Sequence, residues 1–261
     1  MTLHVEVRGE GPALLLIPGG AGDAGTFERL ADEFAGERTV VTYDRRGFSR
    51  SPIAEEDLPR RYELDVEDAA GLIDQYGGGR ADILGSSSGG IVALGLVAQY
   101  PNKTGVVVAH EPPLTAMVDD GDVIRAGFDD VVEVQRRAGT EAAMRRFGEV
   151  TGLGSRELPP VELLPPPVRE LLGRLAGNGA FFIEQELRRY TAVAPDLAAV
   201  RGRVVVAAGE RSAEQFPARA ARGLAARLGT TVVEFPGEHD GYVEFPAEFA
   251  KRLREVLSPG T

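Results

Sequence analysis

Cysteine is absent from this 261-residue chain. Disulfides, thiolate metal sites and cysteine nucleophiles are excluded together. No run approaches the roughly 18 apolar residues needed to span a bilayer, so no membrane partner is expected. The opening MTLHVEVRGEG lacks the succession of basic, apolar and small residues that marks a secretory signal. With no cysteine, this points to a cytoplasmic protein. Lysine stands only at 103 and 251, and 29 basic residues face 40 acidic ones, a formal net charge of −11. The arginines are scattered among acids, as in RRYELDVED, and read as solvated helix faces. That balance argues against a nucleic acid partner and leaves a small molecule. Histidine occurs only at 4, 110 and 239.

Strand and helix signals alternate along most of the chain. Alternating or continuous apolar runs predict strands at 3–7, 13–17, 38–43, 81–84, 105–110, 203–209 and 231–235. Helical spacing appears at 26–35, 62–76, 89–100, 214–228 and 243–257; the 89–100 segment is apolar nearly all round, hence buried. Such alternation predicts an α/β protein, a mainly parallel sheet with helices on both faces. Between 113 and 200 the rhythm breaks into Arg- and Ala-rich helical sequence interrupted by LPPVELLPPPV, whose prolines forbid a continuous helix. We therefore expect a core built from 1–112 and 201–261, with 113–200 inserted over the carboxyl edge of the sheet, where ligands of such sheets bind.

Two glycine signals compete. Gly20-x-Gly22-x-x-Gly25 follows a strand, with Asp44 where a ribose-binding acid would stand. Against a dinucleotide site, Pro18-Gly19 separates this pattern from the strand it should close. No GxxxxGK[ST] phosphate loop is present. The second signal is Gly85-Ser86-Ser87-Ser88-Gly89, which ends one strand and opens the buried helix. A G-x-S-x-G at a strand-to-helix turn lifts its central serine clear of the sheet and aims the next amide at the reacting atom. Ser86 and Ser88 read as small neighbours. A nucleophilic serine needs a base. His239, on the loop after the last strand, shares the carboxyl edge with Ser87. His110 reads as a structural hydrogen-bonding residue, and His4 as packed or exposed in the first strand.

With Ser87 and His239 in this order, the chain resembles the α/β-hydrolase superfamily over nearly its whole length. LLLIPGG resembles its oxyanion turn, VVTYDRRGFSRS its D-x-R-G-x-G-x-S turn, GSSSGGIVAL its elbow, and FPGEHDGYVEFPAEFAKRLREVL its terminal histidine loop and helix. The insert corresponds to a helical cap, and the first antiparallel strand of longer members is missing. The resemblance implies a serine hydrolase with the amides of Gly20 and Ser88 as oxyanion hole and no cofactor or metal. It also makes Asp44 a turn residue. Pro18 replaces a usual histidine of the oxyanion turn, which is not the donor. The usual triad Asp after the RVVVAAG strand is missing, and Ser212 stands in its place. Glu111, after the preceding strand, is the favoured substitute and Glu210 the alternative. Serine at the elbow argues against dehalogenase or epoxide-hydrolase chemistry and for cleavage of a carboxylic ester, thioester or lactone. Carbon–carbon bond hydrolysis and non-hydrolytic ligand binding or cyclisation on the same fold are the alternatives. Leu114, Met117, Phe128, Phe147, Phe181, Phe182 and Tyr190 are expected to make the cap apolar.

Overall fold

The computed structural model describes residues 2–154 and 160–258. Its strands are β1 (Val5–Arg8), β2 (Ala13–Ile17), β3 (Thr39–Tyr43), β4 (Ala81–Ser86), β5 (Thr104–His110), β6 (Val204–Gly209) and β7 (Val233–Phe235). They form one sheet in the order β1-β3-β2-β4-β5-β6-β7. Only β1 runs antiparallel, with Val5 opposite Tyr43, and among the described residues no strand lies outside it. The parallel strands are buried on both faces, which explains runs such as ALLLI, all five residues of which are buried.

Alternate residues of β2 serve different layers. Leu14 and Leu16 join a core with Leu30 and Phe34 of α1 (Glu28–Phe34) and with Phe249 and Leu253 of α11 (Pro246–Leu257). Leu15 and Ile17 join the opposite core, with α2 (Arg61–Tyr76) and α3 (Ser88–Gln99). Every residue of α3 from Ser88 to Val97 is buried, as its all-round apolar character predicts. The helix predicted over 243–257 is divided into α10 (Gly241–Glu244) and α11, because Pro246 takes the first-turn position where its missing N–H does no harm.

The helical insert lies between β5 and β6. It comprises α4 (Gly121–Ala138), α5 (Thr140–Thr151), α6 (Pro166–Phe181), a wide turn at Phe182–Glu186, α7 (Leu187–Thr191) and α8 (Leu197–Val200). Residues 158 and 159 of the proline-rich stretch lie outside the described residues; Pro166 opens α6. Helix α9 (Phe216–Leu228) follows β6. No helix among the described residues is long and apolar enough to cross a membrane. Parallel topology brings the ends of β2, β4, β5, β6 and β7 to one edge, and the chemistry gathers there.

Candidate active site

Ser87 sits between the last residue of β4 and the first of α3 with φ +55° and ψ −125°, a conformation that side-chain-bearing residues rarely adopt. The bend is tight enough to demand glycine on both sides. A Cβ on Gly89 would fall 2.1 Å from the Ile17 carbonyl oxygen, and one on Gly85 would fall 2.3 Å from that of Gly89. The Ser87 amide donates to the His110 carbonyl at 2.8 Å, tying the bend to β5. Ser86 and Ser88 are buried, whereas Ser87 is half-buried and opens into a cleft. Three serines stand together, and one faces the solvent.

That cleft has a volume of about 820 Å³, and Gly19, Gly20, Ser87, Phe182, His239 and Asp240 line it. His239 stands on the loop between β7 and α10, and its Nδ1–H donates to Glu111 Oε2 at 2.5 Å. The nitrogen left to face the cleft is therefore Nε2. Glu111, immediately after β5, is buried and held at φ +48°. Its other oxygen, Oε1, accepts from the Gly209 amide at 2.8 Å and from the Ser212 hydroxyl. Burial by itself would raise this carboxyl, but the bonds and charge of its partners, His239 foremost, overcome that and bring its pKa to about 2. Burial likewise pushes His239 down, and the Glu111 bond and charge more than reverse this, so the imidazole titrates above its ordinary 6.5. Glu210 is exposed, its amide bonds the Phe235 carbonyl at 2.9 Å, and its carboxylate has no hydrogen-bond partner among the described residues. Ser212, in the sequence position of the missing Asp, donates its hydroxyl to Glu111. No local signal reveals that role, because it depends on two loops 101 residues apart.

Gly20, on the cleft, and Ser88, next to Ser87 and lining a small space beside it, have amides that no acceptor among the described residues takes. Arg45 sets the first. Its Nε donates to the Pro18 carbonyl at 2.9 Å and its Nη2 to the Gly19 carbonyl at 3.0 Å. A trans peptide points its C=O and the following N–H in opposite directions, so gripping the Gly19 oxygen turns the Gly20 N–H away from Arg45. The arginine is completely buried and is itself held by Asp65 (2.7 Å) and by both oxygens of Glu186 (2.8 and 2.9 Å). Arg61 also meets Glu186 at 2.5 Å and stacks over Phe48 (4.7 Å) and Phe181 (5.0 Å). Tyr190 donates to Asp65 at 2.7 Å. Burial would raise the Glu186 carboxyl, yet the two arginines hold it at about 2. This charge cluster was invisible in the sequence, where Tyr190 and Phe181 read as apolar lining. Of that set, Phe147 and Phe182 line the cleft, whereas Leu114 and Met117 lie in the core beneath it.

Asp44 is buried and fully used within the chain. It accepts from the Ala24 amide (3.0 Å), the Arg50 amide (3.0 Å) and the Arg50 guanidinium (2.7 and 2.9 Å), which leaves no oxygen for a ribose. His110 packs against Phe235 and Phe249. Its Nδ1 lies 3.5 Å from Ser86 Oγ, and its Nε2 has no hydrogen-bond partner among the described residues, so side-chain hydrogen bonding is a thin part of its role. Burial pulls its pKa down to about 4. His4 is half-buried, 3.2 Å from Glu6.

A sequence model of the alpha/beta hydrolase family matches residues 14–252. The chain belongs to that family. This hydrolase is 35% identical to an uncharacterized hydrolase, YraK, of Bacillus subtilis (strain 168), over 98% of this chain and 92% of that one. Its fold is similar to that of a thermophilic esterase from Thermogutta terrifontis, with TM-score 0.73 and 20% identity, covering 98% of this chain and 92% of that one. It is also similar to an enol-lactonase from Burkholderia xenovorans LB400, with TM-score 0.70 and 20% identity, covering 98% and 96%.

Proposed function

We propose that this hydrolase is a serine esterase-type enzyme that cleaves a carboxylic ester, thioester or lactone of a small, largely apolar substrate through an acyl-enzyme on Ser87. The observation that supports this most is the shared cleft. A strained serine opens into it, and so does an imidazole whose far nitrogen is already bound to a buried carboxylate.

In this reading His239 Nε2 takes the Ser87 proton as Oγ bonds to the substrate carbonyl carbon, and the amides of Gly20 and Ser88 receive the oxyanion. The carbon–leaving-group bond then breaks, and His239 returns the proton to the departing oxygen or sulfur. Water repeats the sequence. Its proton goes to His239, its oxygen bonds to the acyl carbon, the bond to Oγ breaks, and Ser87 regains a proton. Glu111 keeps the N–H on Nδ1 and stabilises the imidazolium formed in both halves. Every proton in this cycle has its donor and acceptor in the chain or in water. Residues 113–200 act as a cap, with Met144, Phe147, Leu153 and Phe182 closing the cleft from above.

The test is covalent. A fluorophosphonate probe should label Ser87 in the purified protein, and p-nitrophenyl acetate should be hydrolysed; Ser87→Ala should lose both. A folded wild type that neither labels nor turns over the ester would return the fold to ligand binding or non-hydrolytic chemistry.

A further inference from the structure

Beside Ser87 lies a second, much smaller space. It holds about 20 Å³, against about 820 Å³ for the open cleft. Phe128, Phe147, Leu187 and Phe216 wall it, together with Ser87 and Ser88. Two threonines also reach it, but each hydroxyl is spent inside its own helix: Thr151 donates to the Phe147 carbonyl and Thr191 to that of Leu187, both at 2.7 Å. The niche is thus apolar as well as small. A single water-sized group needs about 10–15 Å³ by the same measure, so the niche takes one methyl.

The two spaces carry different catalytic groups: Gly20 lines only the open cleft and Ser88 only the niche. His239 lines the open cleft and not the niche. The imidazole must hand its proton to the leaving group, so the leaving group has to lie on the His239 side. The acyl substituent then falls on the other side of the reacting carbon. From this, and resting on the serine reading above, we infer that the hydrolase is selective for acetyl-sized acyl groups carried on bulky alcohols. Phe128, Leu187 and Phe216 set the acyl limit.

The mouth of the cleft adds a preference about charge. Glu141, Arg145, Glu149 and Asp240 line it. Among the described residues its one cation, Arg145, is paired with Glu141 at 2.5 Å, so a carboxylate on the alcohol meets acids and no unpaired partner among them. A lactone, whose acyl arm and alcohol arm are one ring, cannot divide itself between two spaces of such unequal size. The favoured substrate class is therefore an open-chain acetic ester of a large, uncharged alcohol. Ser87 Oγ becomes acetylated as the ester C–O bond breaks, the alcohol leaves with the proton carried by His239, and water releases acetate.

The test uses the wild-type enzyme and two ester series. With p-nitrophenol as the common leaving group, kcat/KM should fall about tenfold or more from acetate to butyrate, because each added methylene must displace a packed wall. With acetate as the common acyl group, naphthyl and p-nitrophenyl esters should both be good substrates, and a carboxyl on the aryl ring should lower kcat/KM. Leu187→Ala and Phe216→Ala should raise the butyrate-to-acetate ratio, and intact mass should show the butyryl-enzyme accumulating where the wild type shows little. A rate that holds or rises through hexanoate in the wild type overturns the acyl-niche assignment, as does an unchanged ratio in both folded variants. If that happens while Ser87→Ala remains inactive, the serine mechanism stands and only the niche falls. If no ester reacts and the probe does not label Ser87, both fall.

Discussion

Glu111 is the residue on which the site turns. A glutamine there keeps the shape and one hydrogen-bonding oxygen but loses the charge that orients the imidazole and stabilises it once protonated. We expect Glu111→Gln to lower kcat by about 10³–10⁴ in an ester-hydrolysis assay, with Glu210→Gln close to wild type. A larger loss from Glu210→Gln would reverse the assignment of the acid. In the proposed mechanism the same contact should set the pH profile. His239 accepts a proton only when neutral, and its pKa is raised above 6.5. The acid limb of kcat/KM should therefore fall away below a midpoint above 6.5, and removing the Glu111 charge should move that midpoint down.

At the scale of elements, the insert reaches down and holds the loop that presents Gly20. Glu186, from the wide turn between α6 and α7, clamps Arg45, which grips the Pro18 and Gly19 carbonyls. Asn178 of α6 adds a second tether by donating to the Ala21 carbonyl at 2.9 Å. Glu186→Gln leaves two buried guanidinium groups sharing Asp65 as their one carboxylate among the described residues. Breaking a buried ion pair in this way costs about 3–5 kcal/mol, readable as a lower urea midpoint. Arg45→Lys keeps the charge but lacks the planar fork that spans two carbonyls and two carboxylates. We expect kcat to fall by about tenfold or more as the Gly20 amide loses its aim, with KM much less affected. Equal effects on both parameters would assign Arg45 to substrate binding instead.

For the molecule as a whole, three of the buried groups give stability against pH distinct windows. His110 has its pKa lowered to about 4, so the folded state favours its neutral form. Its contribution is complete above 6.5 and is lost as pH falls from 6.5 toward 4, about 3 kcal/mol in all. Glu111, lowered to about 2, stabilises fully above 4.5 and loses that only as pH falls toward 2. His239 runs the other way: its stabilisation is complete below 6.5 and fades as pH rises through its raised value. Denaturant titrations at pH 7.5 and 4.5 should therefore show an acid loss that His110→Phe reduces. An undiminished loss in that variant would mean that other groups drive acid unfolding.

Much of this was present in the chain as written. The strand and helix alternation, the sharp turn around Ser87 and the histidine loop are local features, and hydrophobic period and glycine placement act between neighbours. The helix break at Pro246 is local too, but it hid within a continuous amphipathic pattern. Which glutamate meets His239 was not local. Glu111 and Glu210 stand alike after adjacent strands, and the decision depends on which carboxylate meets an imidazole 128 residues from Glu111, with Gly209 and Ser212 to satisfy its second oxygen. Nor was the buried charge cluster legible, since Arg45 and Glu186 lie 141 residues apart and arginine in sequence most often means a solvated surface. Periodicity and turn chemistry determine the frame. Only tertiary packing decides which polar groups are taken from water together, and that shared burial makes them partners.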